Sequence, residues 1–423
     1  MPPGKTAKAA MQAVAAGSGG IESLPDSVLE HILGFLPSPE AVRTCVLARR
    51  WRHLWKSATG MWVGHCDPNK LVSVEDLRNF MNHLLLLRGG ATLDRCYLTF
   101  YDRRSSQDDV PHVNLWFRHL VKCKVRVLSL FLFGRSSGEP WLELHNLPLI
   151  SQHLARLELQ GVQVHDSLLN FSSCPALEHL ELHECELSSV KKIVSESLKH
   201  LSIKFSFSPF NARICICTPN LVWLRLAHLE RTPLLERMPS LLKAIIKITM
   251  ICKDRCTDAN YETCDCEYCD SSDSMANGNK NSVLLKGLSE AQSLALISAS
   301  VMFICKRDLR WCPMFTKLKT LLLNDYWCVL DDFRALACIL EHSPVLEKLT
   351  LQLGEKYLKH VEMKFRIIPI KRSAAISEHL TIVQFDCEKV NDRVLKVMKF
   401  LREFTICKQT CNAPHAFIFL TLL

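Results

Sequence analysis

No run of eighteen consecutive apolar residues occurs in the 423-residue chain, so no membrane-spanning helix is expected. The first twenty residues are rich in Ala and Gly, carry Lys5 and Lys8, and contain no aromatic side chain. They lack the apolar stretch of a secretory signal and read as a disordered tail over 1–20. There is no Walker-type phosphate loop and no glycine-rich dinucleotide fingerprint. Gly17-Ser18-Gly19-Gly20 is low complexity and not a nucleophile elbow. Charge of one sign is also modest: 52 Lys and Arg against 43 Asp and Glu leave a net charge of +9, too little to indicate nucleic acid as a partner. Cysteine is plentiful, with twenty residues, but scattered. Without a secretory route these are expected to be reduced, buried thiols and not a disulfide framework. A cytoplasmic or nuclear location follows as an expectation.

The richest segment is 21–58, IESLPDSVLEHILGFLPSPEAVRTCVLARRWRHLWKSA. Ser23 offers a cap and Pro25 suits a first turn. Val28, Leu29, Ile32, Leu33 and Leu36 follow at helical spacing. Pro37-Ser38-Pro39 stops one helix and starts another, with Ser38 as a cap. Val42, Cys45 and Val46 continue an apolar face, and Trp51, Leu54 and Trp55 form an i, i+3, i+4 anchor. Arg43, Arg49, Arg50, Arg52 and Lys56 lie among them and suit an acidic partner. Both Trp rings share one face with Leu54, whereas base-stacking platforms need dispersed rings. The segment is too small to bury its apolar faces alone, which marks it as a docking module. Next, Leu77, Phe80, Leu84 and Leu87 predict a helix in the connection 59–95, ending at Gly89-Gly90.

Beyond it the pattern Leu-x-x-Leu-x-Leu recurs. It occurs at Leu154, Leu157, Leu159; at Leu177, Leu180, Leu182; at Leu198, Leu201, Ile203; and at Leu221, Leu224, Leu226. It returns at Leu318, Leu321, Leu323 and at Leu346, Leu349, Leu351, with a weaker copy at Ala291, Leu294, Leu296 and an early one at Val125, Leu128, Leu130. Such spacing is the signature of leucine-rich repeats, each a short strand whose alternate Leu residues point inward. Cys185 stands where such a unit places a buried Asn or Cys. The copies are irregular, so a uniform horseshoe is not expected.

Leu24-Pro25, Val28-Leu29, Ile32-Leu33, Leu36-Pro37 and Arg49–Trp55 resemble the F-box of plant proteins, although Cys45 and Ala48 stand where Ser is usual. The segments FTKLKTLLLNDYWCVLDDFRALACILEHSPVLEKLTLQL and SEHLTIVQFDCEKVNDRVLKVMKFL resemble the FBD region that follows the repeats in many such proteins. The resemblance implies an α/β chain: an F-box at 21–58, a helical linker at 59–95, leucine-rich repeats at 96–313 and an FBD-like region at 314–405. The tail 406–423 departs from the family, where a strand-like segment is usual. The resemblance also implies docking on a Skp-type adaptor, and through it a cullin, by Leu24, Pro25, Val28, Leu29, Ile32, Leu33, Leu36, Pro37, Val42, Trp51, Leu54 and Trp55. The chain would then be the substrate-recognition subunit of an SCF-type ubiquitin ligase. The alternative is a repeat-based scaffold not coupled to ubiquitination.

The residues flanking the inward Leu positions alternate outward. One column runs Arg156, His179, His200, Trp223. A second runs Glu158, Glu181, Ser202, Arg225, and a third Gln160, His183, Lys204, Ala227. Arg156, His179, His200, Trp223 and Arg225 are the candidates for holding an unidentified target protein, since Trp and Arg dominate interface energetics. The other reading is an ordinary solvated strand face. His179, His183, His200 and His228 sit beside strand leucines, and Glu158 and Glu181 occupy equivalent repeat positions, so neither set reads as catalytic. No enzyme activity, cofactor or metal site is assigned. Within 252–280, Cys252, Cys256, Cys264, Cys266 and Cys269 have partial zinc-ligand spacing. The surrounding Asp254, Asp258, Glu262, Asp265, Glu267, Asp270 and Asp273 favour instead a flexible acidic insertion in the array.

Overall fold

The computed structural model describes residues 20–64, 74–101, 109–133, 140–208, 213–254, 284–299, 308–309, 312–328, 333–354, 379–387, 390, 392–406 and 417–422. Helix α1, Asp26–Leu33, and helix α2, Ser38–Arg43, open the chain, followed by 3-10 turns at Thr44–Val46, Arg49–Arg52 and Leu54–Ser57. The i, i+3, i+4 anchor of Trp51, Leu54 and Trp55 is therefore carried by two tight turns and not by one helix. The serine caps are also not formed. Pro25 and Pro37 hold the N-cap positions without a side-chain cap bond. Ser23 donates its hydroxyl to the Gly20 carbonyl at 2.8 Å, and the Ser38 hydroxyl accepts the Trp62 amide at 3.0 Å.

Among the described residues thirteen strands then form one sheet: β1 Gly60–Val63, β2 Arg95–Tyr101, β3 Val127–Phe133, β4 Arg156–Gln160, β5 His179–His183, β6 His200–Lys204, β7 Trp223–Ala227, β8 Lys243–Ile248, β9 Ser293–Ser298, β10 Thr320–Asn324, β11 Lys348–Leu353, β12 Ile382–Cys387 and β13 Phe417–Leu422. Their spatial order is their chain order, and the neighbours pair parallel. A parallel strand cannot reach its neighbour by a tight turn, so each strand with its return connection makes one coil of a solenoid. The quoted inward leucines are buried from Leu128 to Leu351. Alternation on a pleated strand sends 157, 180, 201 and 224 to one face and the residue before each to the other.

Four coils escape the Leu-x-x-Leu-x-Leu wording because smaller or β-branched residues fill its slots. They are Ala58, Met61, Val63; Leu93, Cys96, Leu98; Leu241, Ala244, Ile246; and Leu380, Val383, Phe385, all buried except the partly buried Leu380. The sheet thus starts at Gly60, inside the segment read as a helical linker. That segment also holds helix α3, Val74–Arg88, which ends at Gly89 and Gly90, both at positive φ. Its buried stripe is Leu77, Met81, Leu84 and Leu85, while Leu87, expected on the inner face, is 49% exposed.

Helix α4, Asp109–Lys122, returns from β2 to β3. The central connections are shorter and contain short strands at Lys192–Val194, Cys215–Cys217 and Leu234–Leu235 that pair in parallel with one another. Helix α5, Arg334–Glu341, lies between β10 and β11, and helix α6, Asp392–Ile406, between β12 and β13. The tail expected to break the pattern instead supplies β13, whose backbone pairs with β12. Its nearly continuous apolar run, FIFLTL, suits an added strand whatever its resemblance to relatives.

Cys185 fills the predicted buried position, with its thiol donating to the Leu159 and His183 carbonyls at 3.4 Å. Burial raises its pKa to about 12, so it is a structural thiol. At the ends of β4 to β7, Gly161, Glu184, Phe205 and His228 occupy equivalent positions and share positive φ. Each amide donates to the next coil, as in Phe205 N to Ala227 O at 3.0 Å. The stacked coils hold three side-chain-bearing residues in a conformation that ordinarily favours glycine.

The register has a direct consequence for stability. Leu180, 2% exposed, should cost about 2–5 kcal/mol when replaced by Ala. His179→Ala, one residue away on the outward face, should cost less than about 1 kcal/mol. The shift of the urea midpoint in the two variants checks this, and equal shifts would place the register one residue out.

Candidate functional site

The N-terminal module does not stand apart from the array. The Trp62 indole on β1 donates to the Gly34 carbonyl at 2.9 Å, and Thr59 N donates to Glu30 O at 3.4 Å. A Cβ at Gly60 would lie 2.1 Å from the Gly34 oxygen, so glycine there permits the two backbones to touch. Arg88, buried at the end of α3, donates to the carbonyls of Trp55 and Ala58 at 3.2 and 2.8 Å. It thereby closes the last turn of the module. Leu29, Leu33, Trp51, Leu54 and Trp55 belong to the same continuous core as the strand leucines.

That arrangement divides the twelve candidate docking residues. Leu29, Leu33, Trp51, Leu54 and Trp55 are interior and present no surface to a partner; Leu24, Leu36 and Val42 are half-buried against the core; Pro25, Val28, Ile32 and Pro37 are exposed. The helical spacing joined two faces of α1 into one. The face that meets β1 and the Trp-bearing turns is buried, and the other carries Val28 and Ile32. The structure adds Phe35, Val46 and Leu47, which are 55%, 83% and 68% exposed. Phe35 continues the Val28, Ile32 stripe at i+7, a signal readable from the sequence. Arg50 is not a free docking cation: its guanidinium donates to Asp26 and to the carbonyls of Glu22 and Leu24. Arg43, Arg49 and Arg52 are exposed.

The outward columns on the sheet are aligned as the repeats predict. Trp223 pairs in register with His200, His200 with His179, and His179 with Arg156. The His179 and His200 rings stack at 4.2 Å, and Trp223 lies 6.3 Å from His200. Arg225 sits in the second column opposite Ser202. Further along, Phe205 and His228 stack at 4.2 Å. The third column is less open than expected, since Ala227 is buried.

The carboxylates on this face are neutralised one by one. Glu158 takes Arg156 at 2.5 Å and the Ser129 hydroxyl at 2.7 Å, while Glu181 takes Lys204 at 2.5 Å. They form no shared-proton dyad of the kind general acid–base chemistry uses. Burial, with His200 and Arg156 adding repulsion, lowers the His179 pKa. Burial, with Lys247 and Arg225, does the same for His228. The face is therefore an aromatic and cationic surface on which His179 and His228 favour the neutral form.

Of the acidic Cys-rich segment, Cys252 and Asp254 are described and buried. Asp254 accepts from Arg213 at 3.0 Å and from the Thr232 amide and hydroxyl at 2.9 and 2.6 Å. Burial pushes its pKa up, but Arg213 and Thr232 outweigh this and hold it below the usual carboxylate value. Asp254 is thus a structural clamp at the edge of the insertion. Cys256, Asp258, Glu262, Cys264, Asp265, Cys266, Glu267, Cys269, Asp270 and Asp273 lie outside the described residues, as does the N-terminal tail 1–19. Among the described residues no helix is long and apolar enough to cross a membrane.

Comparison with known proteins agrees with this architecture. Residues 21–59 match the F-box domain family. A putative F-box/LRR-repeat protein of Arabidopsis thaliana is 26% identical over 80% of this chain and 73% of its own length. A putative FBD-associated F-box protein of the same plant is 27% identical over 49% of this chain and 54% of its own. Another Arabidopsis F-box/LRR-repeat protein is 28% identical over 49% of this chain and 52% of its own. The chain spans about half the length of several of these relatives. An F-box joined to a leucine-rich solenoid defines the class, and the chain is similar to plant F-box/LRR-repeat and FBD-associated F-box proteins.

The electrostatics of the sheet face set a sign for pH dependence. His179 and His228 bind protons less readily folded than unfolded. Their contribution is complete above the ordinary histidine value of 6.5 and is lost as pH falls below it. Urea midpoints should therefore drop between pH 7.5 and 5.5, and His179→Gln should flatten that slope. A slope unchanged by the substitution would remove His179 from the account.

Proposed function

We propose that the chain is the substrate-recognition subunit of an SCF-type cullin ubiquitin ligase, acting in the cytoplasm or nucleus. Its F-box holds a Skp-type adaptor, the adaptor links it to a cullin, and the outward sheet face holds a target protein. Ubiquitin transfer belongs to the associated machinery, and the chain itself supplies recognition without catalysis. The observation that carries this reading is the exposed apolar set Val28, Ile32, Phe35, Val46 and Leu47 on a module whose Leu29, Leu33, Trp51, Leu54 and Trp55 are interior. Exposed apolar groups concentrated on one small module mark an interaction site. The F-box match over the same residues says which kind of partner fits. On the target side, Trp223 and Arg225 lie beside the stacked histidines and supply the side-chain types that anchor interfaces.

Ile32→Asp with Leu47→Asp should weaken adaptor capture by about a hundredfold or more, since each buried apolar side chain is worth about 1.5–3 kcal/mol. Circular dichroism of the variant should match the parent. Leu29→Ala with Trp51→Ala removes core instead of surface and should lower the stability of the module. Trp223→Ala with Arg225→Ala should reduce recovery of cross-linked target peptides while leaving adaptor binding intact. Co-purification of the parent chain with a Skp-type adaptor and a cullin checks the whole proposal. Target capture with no cullin association would make the chain an uncoupled scaffold.

A further inference from the structure

Two clusters of soft donor groups occur among the described residues, both assembled from separate coils. The first is Cys215, Cys217 and Glu236. Its sulfurs are 3.4 Å apart, but Lys192 lies 3.6 Å from the Glu236 carboxylate, and an ammonium there competes with any added cation.

The second cluster is Cys312, Cys338 and His342, whose donor atoms all lie within 4.8 Å of one another. Cys338 is on α5 and His342 is its C-cap residue, so an i, i+4 spacing puts both on one helical face. Cys312 comes from the segment before β10, which the Phe315 amide ties to the His342 carbonyl at 2.8 Å. His342 Nδ1 is 2.7 Å from the Cys338 carbonyl. At that contact Nδ1 carries the proton and donates, which leaves Nε2 as the nitrogen with a free lone pair. A ligand histidine is commonly fixed in this way, with its second nitrogen bound to a backbone carbonyl. Each thiol reaches a carbonyl only at 3.8 Å, Cys312 to Pro313 and Cys338 to Leu309. A carboxylate oxygen of the adjoining Glu341 is buried without a hydrogen-bond partner. The group therefore gathers two soft thiols and an imidazole beside an unpartnered carboxylate oxygen, with all three candidate ligands half-buried.

We propose that Cys312, Cys338 and His342 form a binding site for a thiophilic divalent ion of the zinc class. Two thiols and an imidazole are a donor set suited to zinc, with three protein ligands and a water completing a tetrahedron. On binding, two thiol protons and all but one of the ion's water ligands leave to solvent, two metal–sulfur bonds and one metal–nitrogen bond form in place of metal–water bonds, and no electron changes hands. The ion would pin α5 to the segment entering β10. The sequence spacing hides the site, because 25 residues, including β10, separate Cys312 from Cys338.

The test uses the full chain under reducing conditions, with Cys215, Cys256, Cys264, Cys266 and Cys269 replaced by Ser to remove rival thiols. This background should bind about one zinc per chain, and cobalt in its place should give thiolate charge-transfer absorption. Adding His342→Gln should weaken zinc binding at least about tenfold, the scale on which disturbing even an outer-shell partner acts. Adding Cys312→Ser with Cys338→Ser should abolish the cobalt band, with circular dichroism confirming that the variants fold. A background chain with no thiolate absorption, or equal zinc affinity in the folded ligand variants, overturns the site.

Discussion

The rest of the structure depends on one constraint: each parallel strand must find its neighbour one coil away in the chain, with alternate side chains turned inward. A coil cannot bury its apolar face alone. Stacking supplies the missing surface, and hydrogen bonds between adjacent strands fix the register. The left-handed positions at Gly161, Glu184, Phe205 and His228 show how strongly stacking governs the backbone. Three side-chain-bearing residues adopt a strained conformation there because each amide is committed to the next coil.

The same constraint explains how a small helical module persists at one end. Sheet formation begins at Gly60, only two residues beyond the module. The Trp62 and Arg88 side chains satisfy or engage the module's carbonyls, and the Leu29, Leu33 face packs into the common core. A module tied down on one face has only its other face free. This is why Val28 and Ile32 on α1 and Phe35 just beyond it are left exposed, while Leu29 and Leu33 serve the fold.

On the outward sheet face, charge is spent locally: arginine and lysine neutralise glutamates on the same or the adjacent strand. What remains available is aromatic and cationic, built around His179, His200, Trp223 and Arg225. Such a surface can recognise a partner, and its carboxylates are already committed to neighbouring cations. Repeat architecture fixes the spacing of these groups without fixing what they hold.

The sequence by itself determined the repeat class, the register of the strands from 156 to 227 and the alignment of the outward columns. Each of these follows from a local period that every coil repeats. It also marked the F-box, through closely spaced leucines, prolines and tryptophans. Tertiary structure alone decided which side of α1 is core, because Leu29 and Val28 are equally apolar and differ only in what lies opposite them. It decided that Ala58, Leu93, Leu241 and Leu380 begin further coils, since Met61, Cys96, Ala244 and Val383 fill inward slots that a leucine search passes over. It turned the atypical tail into β13, paired Arg50 with Asp26 at the surface and Asp254 with Arg213 in the interior, and brought Cys312 to Cys338 and His342. These last contacts join residues 24 or more positions apart, and no local period encodes them. The Arg50–Asp26 pair folds the N-terminal module on itself, and the others exist because stacking brings one coil against the next.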